Sequence, residues 1–221
     1  MLFNTLLCHE FKINFRTKEA FFSMLSFGMI MIVTFAFSLN ISEEQIVSII
    51  PGFFWMTVLF VSVLGINRMF FHELTFNAIS LLSSAPVDRG LIFFTKTIIG
   101  LVYLSIIESV LIILIWFLFH VSFFNLPVLS FGLLILGNLS ILVTGVFISG
   151  LTLSSRMSNV LVPLLMFPLL SPVIISLTKA TQGLLQGLPI TEWEIWILII
   201  STYCVVFALL GYGLFDYLME E

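Results

Sequence analysis

The chain has 221 residues, of which 60% are hydrophobic and only 9% are charged, and its net charge is −4. Because an ordinary water-soluble domain has about 25% charged residues, this composition excludes one. The net charge itself says little, since in a membrane protein the placement of Lys and Arg matters more than their sum. Continuously apolar blocks of about 20 residues recur along the chain, which predicts spanning helices and excludes the alternating pattern of a membrane β-barrel. We therefore predict one all-α integral membrane domain over residues 1–221.

Residues 2–18 have the pattern of an amphipathic helix. Phe3, Leu7, Phe11 and Phe15 recur every four residues, while the basic residues fall mostly on other faces. A helix of this kind suits the membrane interface better than a crossing, so we predict an interfacial elbow helix before the first span. An ordinary soluble helix packed on a domain is the weaker alternative, because no soluble domain follows it in the sequence.

The first two spans are predicted over residues 20–39 and 46–66, with a polar turn around Glu43 and Glu44 between them. Pro51 and Gly52 lie near the start of the second span. Proline is tolerated in a first helical turn, whose N–H groups have no intrahelical partner. Alternatively, the Pro-Gly pair breaks the helix there and leaves a short interfacial or re-entrant piece before the span.

The third and fourth spans are predicted over residues 91–119 and 128–153. The third would be roughly 40 Å long as a helix, so it must tilt or protrude. The fourth contains Gly132, Gly137, Gly145 and Gly150. Because small residues let helices approach closely in lipid, we predict that the fourth span lies in the interior of the bundle.

The fifth apolar block, residues 160–177, contains Pro163, Pro168 and Pro172. The last two lie about 40° apart on one helical face, so a bend or a broken helix is expected. Residues 178–192 are too short and too mixed in polarity to span, and whether they form a short helix in the outer interface stays open. A last span over residues 193–215 completes six spans.

The basic residues predict the orientation. With a cytoplasmic N-terminus, seven Lys and Arg residues lie at the inner side and only Lys179 lies outside, as the positive-inside rule requires. Both termini are then cytoplasmic. Trp116, Trp193 and Trp196 fall near the outer ends of their spans, which fits an aromatic belt. The seven inner residues are Lys12, Arg16, Lys18, Arg68, Arg89, Lys96 and Arg156.

No GxxxxGK[ST], HExxH, GxSxG or GxGxxG pattern occurs in the sequence, so we predict that the chain is not an enzyme and does not hydrolyse nucleotide itself. No catalytic residue and no metal site are predicted. Histidine can hold haem or a metal, but His9 and His72 are better interpreted as surface residues. His120 is the one weak candidate ligand, because it lies at the outer end of the third span.

Glu108 is the acidic residue well inside a predicted span. An intramembrane carboxyl group suggests a polar cavity, a proton path or a buried partner. A structural interpretation fits the sequence equally well, in which a protonated Glu108 is hydrogen-bonded to a neighbouring helix. Lys96 is not its partner on the same helix, since twelve residues separate them by about 18 Å. We expect Lys96 to extend toward the inner headgroups instead.

Residues 67–90, the central segment, are too polar to cross a bilayer and unusually apolar for an exposed loop. The orientation places this segment in the cytoplasm. Phe70, Glu73, Leu74 and Leu82 are candidate contacts, and residues 78–84 are predicted to form a short helix that Pro86 ends. A short helix held between two spans can serve as a docking site for a soluble partner protein. Packing of that helix on its own bundle alone is the weaker alternative.

The segments IIPGFFW at 49–55, NRMFFHEL at 67–74, LLSSAP at 81–86 and VLVPLLMFPLLSPVIIS at 160–176 resemble the CcmB family. CcmB is the membrane permease subunit of the cytochrome c maturation ABC transporter, also called haem exporter protein B. The elbow helix and six-span arrangement of ABC-2-type exporters also match. Asn67 stands where that family would have an acid, Asn77 where it would have a small residue, and Glu108 matches none of its motifs.

The resemblance implies a bacterial inner-membrane complex. It would contain a CcmA-type ATPase, CcmC- and CcmD-type membrane subunits and a CcmE-type haem chaperone, and a second copy of this chain. Arg68, Phe70, Glu73, Leu74 and Leu82 would be the ATPase-coupling contacts. The chain itself is not expected to bind a cofactor; haem would be a possible substrate, with ATP acting through the partner.

Three alternatives stay open at this point. An ABC-2-type permease could export another substrate, such as a lipid, a polysaccharide or a drug. A haem-binding redox membrane protein would use His120 as a ligand. A purely structural anchor would hold other subunits without an ATP-dependent step.

Overall fold

The computed structural model describes residues 18–38, 43–75, 89–123, 126–152 and 158–218, and these ranges are helical apart from short connections. The long helices are α1 (Lys18–Ser38), α2 (Glu43–Thr75), α3 (Arg89–Phe119), α4 (Pro127–Thr152), α5 (Ser158–Leu185) and α6 (Glu194–Leu218). A single 3-10 turn, Ile190–Glu192, precedes α6. The predicted interfacial helix over residues 2–18 lies outside the described residues except for Lys18, which begins α1.

Each of the six long helices contains a stretch that is long and apolar enough to cross a membrane: Ala20–Ser38, Gln45–Met69, Gly90–Phe119, Pro127–Thr152, Val160–Leu185 and Glu194–Leu214. The hydrogen bonds of a helix satisfy its own backbone groups, which is what a hydrocarbon environment requires. The predicted all-α fold with six spans is confirmed.

Helix α4 is the centre of the bundle. It packs against α2, α3, α5 and α6, and these four also contact one another in a closed ring around it, while α1 packs outside against α2 and α3. In the most apolar window of α4, 67% of the residues are buried, compared with 17% in α1 and 11% in α6. The predicted interior position of the fourth span is therefore confirmed.

Two glycines of α4 explain how its neighbours come so close. A Cβ atom at Gly137 would lie 2.5 Å from the ring of Trp55, and one at Gly145 would overlap the side chain of Ile66. Gly132, in contrast, has no side chain near it and is exposed on the bundle surface. Small residues thus serve helix packing only in the part of α4 that faces other helices.

The same contacts show that the helices alternate in direction. Trp55 and Ile66 of α2 meet Gly137 and Gly145 of α4 in the same order, so α2 and α4 run in parallel. Glu108 and Gly100 of α3 meet Asn138 and Leu142 of α4 in opposite order, so α3 is antiparallel to both. One end of the bundle therefore carries the start of α3 and the ends of α2 and α4. We call it the basic end, because Lys18, Arg68 and Arg89 lie there.

Neither prediction for Pro51 is correct. Helix α2 begins at Glu43, so Pro51 lies in its interior rather than in the first turn, and the helix continues unbroken through it to Thr75. A proline removes one backbone N–H donor, which a long helix tolerates at a local cost. Gly52 beside it packs against Thr178 of α5, which ties this part of α2 into the bundle.

Of the two alternatives for the fifth span, the broken helix is wrong, and a bend at its prolines stays a prediction. Helix α5 is continuous through Pro163, Pro168 and Pro172. Pro172 has no N–H to give to the carbonyl group of Pro168, four residues earlier, and the Ser171 hydroxyl donates a hydrogen bond to that carbonyl oxygen at 2.8 Å instead. A side chain thus replaces one of the backbone hydrogen bonds that proline removes.

Helix α5 runs to Leu185, so most of the segment 178–192 continues the fifth span, and the prediction that it lies outside a span is wrong. Its span covers Val160–Leu185. Thr181 made this stretch look too polar, but it is buried and accepts a hydrogen bond from the indole of Trp55. Polar residues that face protein rather than lipid lower the hydropathy of a segment without ending its span.

The turn after α5 is set by Gly187, whose φ of 68° is in the left-handed region. The N–H groups of Leu188 and Gly187 bond to the carbonyl groups of Gly183 and Leu184, which is a Schellman motif. Trp193 then packs on Gly183, buried and with its indole N–H on the Leu188 carbonyl oxygen at 3.1 Å. Trp193 therefore lies beside the start of α6, as the sequence predicts, but its ring is buried in the bundle.

Candidate functional site

The connection between α2 and α3 at the basic end is shorter than predicted. Helix α2 continues to Thr75 and α3 begins at Arg89. Only residues 76–88 of the central segment lie between them, and the structure does not describe these residues. The loop predicted to begin at residue 67 is thus helical for its first nine residues. Hydropathy falls at Asn67 and Arg68, but a helix forms through its backbone and continues past the apolar stretch.

Four of the five predicted coupling residues lie on this last part of α2. Arg68 is exposed on the bundle surface. Phe70, Glu73 and Leu74 belong to the final two turns, where the backbone alone is described, and Leu82 lies outside the described residues. The structure therefore brings these four residues together on one continuous helix. Their contacts with a partner stay a prediction.

The end of α2 is anchored in the bundle just before Arg68. Ile66 is buried and lies directly against Gly145 of α4, and Met166 of α5 lies against the same glycine. Gly65 packs on the side chain of Met24 in α1. Because close-packed interiors transmit displacements rather than absorb them, a shift of the end of α2 would be felt by α1, α4 and α5.

Buried polar side chains lie inside the bundle near the basic end. Thr95, Lys96 and Thr97 follow one another on α3, and each is at most 2% exposed. The prediction that Lys96 extends to the headgroups is therefore wrong. At this level α3 therefore contacts protein over most of its circumference, and only the face of Phe94 and Ile98 is exposed. The polar run T-K-T in an otherwise apolar block was the sequence signal, but it does not by itself distinguish a lipid-facing from a buried lysine.

A small cavity lies between the first four helices on the basic side. Its volume is about 30 Å³, and its lining includes Met24, Ser62, Met69, Tyr103 and Leu142. This is about the space of a single water molecule. The cavity is a packing gap between α1 and the central helices, and it is much too small for an organic substrate.

Glu108 and Asn138 form a hydrogen bond in the middle of the bundle. The Asn138 Nδ2 group donates to Glu108 Oε2 at 2.5 Å, and the two residues are 2% and 1% exposed. Of the predictions for Glu108, the hydrogen bond to a neighbouring helix agrees with this geometry. The sequence did not reveal Asn138 as the partner. The one available signal was that both residues lie near the middle of their predicted spans.

Two further hydrogen bonds between helices were not predicted. The Trp55 indole of α2 donates to Thr181 Oγ1 of α5 at 2.8 Å, and the Tyr203 hydroxyl of α6 donates to the Leu169 carbonyl oxygen of α5 at 2.7 Å. A buried tryptophan usually finds an acceptor for its N–H group. The sequence could therefore predict that Trp55 has a partner, but not which residue it is.

His120 ends α3 with a φ of 55°, and its N–H group bonds to the Trp116 carbonyl oxygen at 3.0 Å. A residue in this left-handed conformation commonly terminates a helix. Its side chain is exposed, and in the described part of the chain no group of three or more His, Cys, Asp or Glu residues could hold a metal ion. The observed role of His120 is that of a helix cap, and haem ligation by it stays a prediction.

Comparison with known proteins places this bundle in a family. The family model described as CcmB protein matches residues 1–213. Heme exporter protein B of Pseudomonas aeruginosa is 24% identical over 196 residues, which cover 89% of this chain and 87% of the relative. Heme exporter protein B of Rhodobacter capsulatus is 24% identical over 185 residues, or 84% of each chain. The likeness thus extends over most of the six spans rather than over one motif.

Proposed function

This chain belongs to the CcmB family, and we propose that it is the membrane permease subunit of an ABC transporter that serves cytochrome c biogenesis. The observation that carries the proposal is the family match over residues 1–213, which takes in nearly all of the six-span bundle. The resemblance of four separate segments to that family, noted in the sequence, is confirmed by this match. The chain is a multi-pass membrane protein and a transport subunit.

In the proposed complex, ATP hydrolysis and the transmembrane function belong to different chains. The sequence has no phosphate-binding GxxxxGK[ST] segment, so a separate CcmA-type subunit would hydrolyse ATP. The transmembrane chain would receive the resulting motion. CcmC- and CcmD-type membrane subunits, a CcmE-type haem chaperone and a second copy of this chain complete the proposed assembly.

The proposed contact with the ATPase is the end of α2 together with residues 76–88. Arg68 is exposed there, and Phe70, Glu73 and Leu74 follow on the same helix. Leu82 would contribute from the connection. The support for this site is mechanical: α2 is one uninterrupted helix from Glu43 to Thr75, so a force at its end acts on the whole length of the bundle.

We place the basic end in the cytoplasm of a bacterium, with the bundle in its inner membrane and both termini cytoplasmic. Five Lys and Arg residues lie in the described ranges. Four of them, Lys18, Arg68, Arg89 and Lys96, belong to the basic half of the bundle, and Lys179 lies near the other end. This asymmetry supports the orientation through the positive-inside rule.

The proposal allows two roles for the ATP-driven step of the complex. Either haem passes outward along the complex, or ATP hydrolysis drives release of the haem-loaded chaperone at the outer face. Inner-membrane vesicles that contain the complex would separate them. ATP-dependent movement of haem without the chaperone indicates export, whereas chaperone release without net haem movement indicates the second role.

The function is tested in a strain from which this chain is deleted. We expect c-type cytochromes, detected by haem staining, to be lost and then restored by the wild-type chain. Normal c-type cytochromes in the deletion strain, with export of a lipid, polysaccharide or drug impaired instead, would assign the chain to another ABC-2-type transporter.

The coupling site is tested with two matched charge reversals, Arg68→Glu and Lys179→Glu. Both residues are exposed cations, but they lie at opposite ends of the bundle. We expect Arg68→Glu to reduce co-purification of the ATPase several-fold, because a repulsive charge at a contact weakens association. Lys179→Glu should leave it unchanged. Equal co-purification with both variants would exclude Arg68 from the contact without affecting the assigned function.

A further inference from the structure

The hydrogen bond between Glu108 and Asn138 lies at mid-membrane depth. Glu108 is eleven residues from the end of α3 and Asn138 is eleven residues from the start of α4, which places both about 16 Å inside their helices. With exposures of 2% and 1%, neither side chain reaches lipid or water. The pair joins the central helix to one of its four neighbours.

This pair has one hydrogen bond too few. Asn138 Nδ2 donates to Glu108 Oε2, but Glu108 Oε1 and Asn138 Oδ1 are both buried without a hydrogen-bond partner. An ionised carboxylate has only acceptors, and the carbonyl oxygen of an asparagine is an acceptor as well. The two unpaired oxygen atoms therefore need a hydrogen, and neither group can provide it while Glu108 is charged.

A single proton on Glu108 supplies that hydrogen. A neutral carboxylic acid has one O–H donor and one carbonyl acceptor, and the asparagine amide has the complementary N–H donor and carbonyl acceptor. The acid would donate to Asn138 Oδ1 through Oε1 while it accepts from Asn138 Nδ2 through Oε2. The same proton would then give both unpaired atoms a hydrogen-bond partner.

The surrounding helices favour the neutral form. Among the helices that pack on α3 or α4, α1 carries no charged residue over 20–38, α2 none over 45–67 and α6 none over 195–215. Helix α5 contributes only Lys179, which is exposed. The remaining titratable groups of α6 in that range are neutral in their ordinary state: Tyr203, Cys204 and Tyr212.

On α3 itself, Tyr103 is five residues from Glu108, and Lys96 is separated from it by about 18 Å along the axis. A carboxylate at Glu108 would thus be a buried charge with no cation beside it in the described part of the bundle, which hydrocarbon surroundings strongly disfavour.

We propose that Glu108 is a neutral carboxylic acid and that it forms, with Asn138, a two-hydrogen-bond clasp between α3 and α4. The clasp sets the register of α3 on the central helix. The contact of Gly100 with Leu142 between the same two helices is apolar, and apolar contacts discriminate weakly between registers in lipid. Glu108 is thus a positioning residue of the bundle and not a member of a proton path.

Infrared difference spectroscopy tests the protonation state directly. The wild type and Glu108→Gln are reconstituted in lipid nanodiscs at neutral pH and compared. We expect the wild type to show the carbonyl stretch of a protonated carboxylic acid, which Glu108→Gln lacks. Asn138→Leu should keep that band but move it to higher frequency, because the acid loses its partner. A carboxylate band in place of the acid band would overturn the proposal.

Unfolding in mixed micelles tests the clasp itself. Gln at position 108 retains one donor and one acceptor, so Glu108→Gln should stay within about twofold of the wild-type unfolding equilibrium. Asn138→Leu removes one partner and leaves the other unpaired, and we expect a shift of about tenfold. Replacing both residues by Leu should recover much of that loss. A Glu108→Gln variant as unstable as Asn138→Leu would contradict the neutral clasp.

Discussion

Replacement of Gly137 by alanine adds one methyl group at the closest approach of α4 to its neighbours. The Cβ atom would lie 2.5 Å from Cη2 of Trp55 and 2.8 Å from Cδ2 of Leu177. Ordinary contacts between carbon atoms are about 3.5–4.0 Å, so the Trp55 ring must move by about 1 Å. That ring is fully buried, so it has little room to move.

The expected cost has two parts. Overpacking of a close-packed core costs about 1–3 kcal/mol. A displaced Trp55 ring also stretches the 2.8 Å hydrogen bond to Thr181, whose net contribution is about 1 kcal/mol. Relative to an alanine variant without this clash, the free energy of unfolding should therefore be lower by about 2–4 kcal/mol, which shifts the unfolding equilibrium between about 30-fold and about 1,000-fold.

Reversible unfolding of the purified protein in mixed detergent micelles measures this change. Gly132→Ala is the matched control, because Gly132 is on the same helix but has open space around it. Both variants gain the same helix propensity of about 1 kcal/mol from alanine, so their difference reports the packing cost alone. A Gly137→Ala protein as stable as Gly132→Ala would refute the assignment of Gly137 as a steric requirement of the bundle.

Three further predictions use the same unfolding measurement. Trp55→Phe removes the indole donor and should lower the free energy of unfolding by about 1 kcal/mol. Trp116→Phe changes a lipid-exposed ring and should leave the free energy of unfolding unchanged. Equal effects of the two replacements would show that the hydrogen bond from Trp55 to α5 does not stabilise the bundle. Gly211→Ala should lower the free energy of unfolding by about 1–3 kcal/mol, because its Cβ would overlap a buried phenylalanine ring of α3. Gly213→Ala should not lower it, because Gly213 has open space around it. Gly187→Ala should cost about 1 kcal/mol because of its positive φ, and unchanged stability would argue against the Schellman turn.

The number and type of the helices followed from the sequence because hydropathy is a local property. Each span satisfies its own backbone hydrogen bonds, so a block of apolar residues suffices to predict it. The glycines of the fourth span also indicated its interior position correctly. Boundaries failed where polar residues face protein instead of lipid. Thr181 is such a residue in α5, and its bond to Trp55 could not be anticipated from hydropathy.

The candidate coupling site was located in the sequence, but its form was not. Arg68 was expected in a loop and lies instead on a helix that continues to Thr75. Lys96 was expected near the headgroups and is buried in the bundle. The first error arises because a helix forms through its backbone and can continue past its apolar stretch. The second has another cause. The environment of a side chain on a spanning helix depends on which neighbour covers that face, and composition does not report this.

The sequence by itself determined that the chain is an all-helical membrane protein with six spans, because crossing hydrocarbon imposes a length and a polarity on each segment separately. Its segments also indicated the CcmB family, which the match over residues 1–213 confirms. Only the tertiary structure decided that α4 is the centre, that Trp55 bonds to Thr181 and that Glu108 faces Asn138. These are relations between helices far apart in the chain, and packing geometry alone brings such residues together.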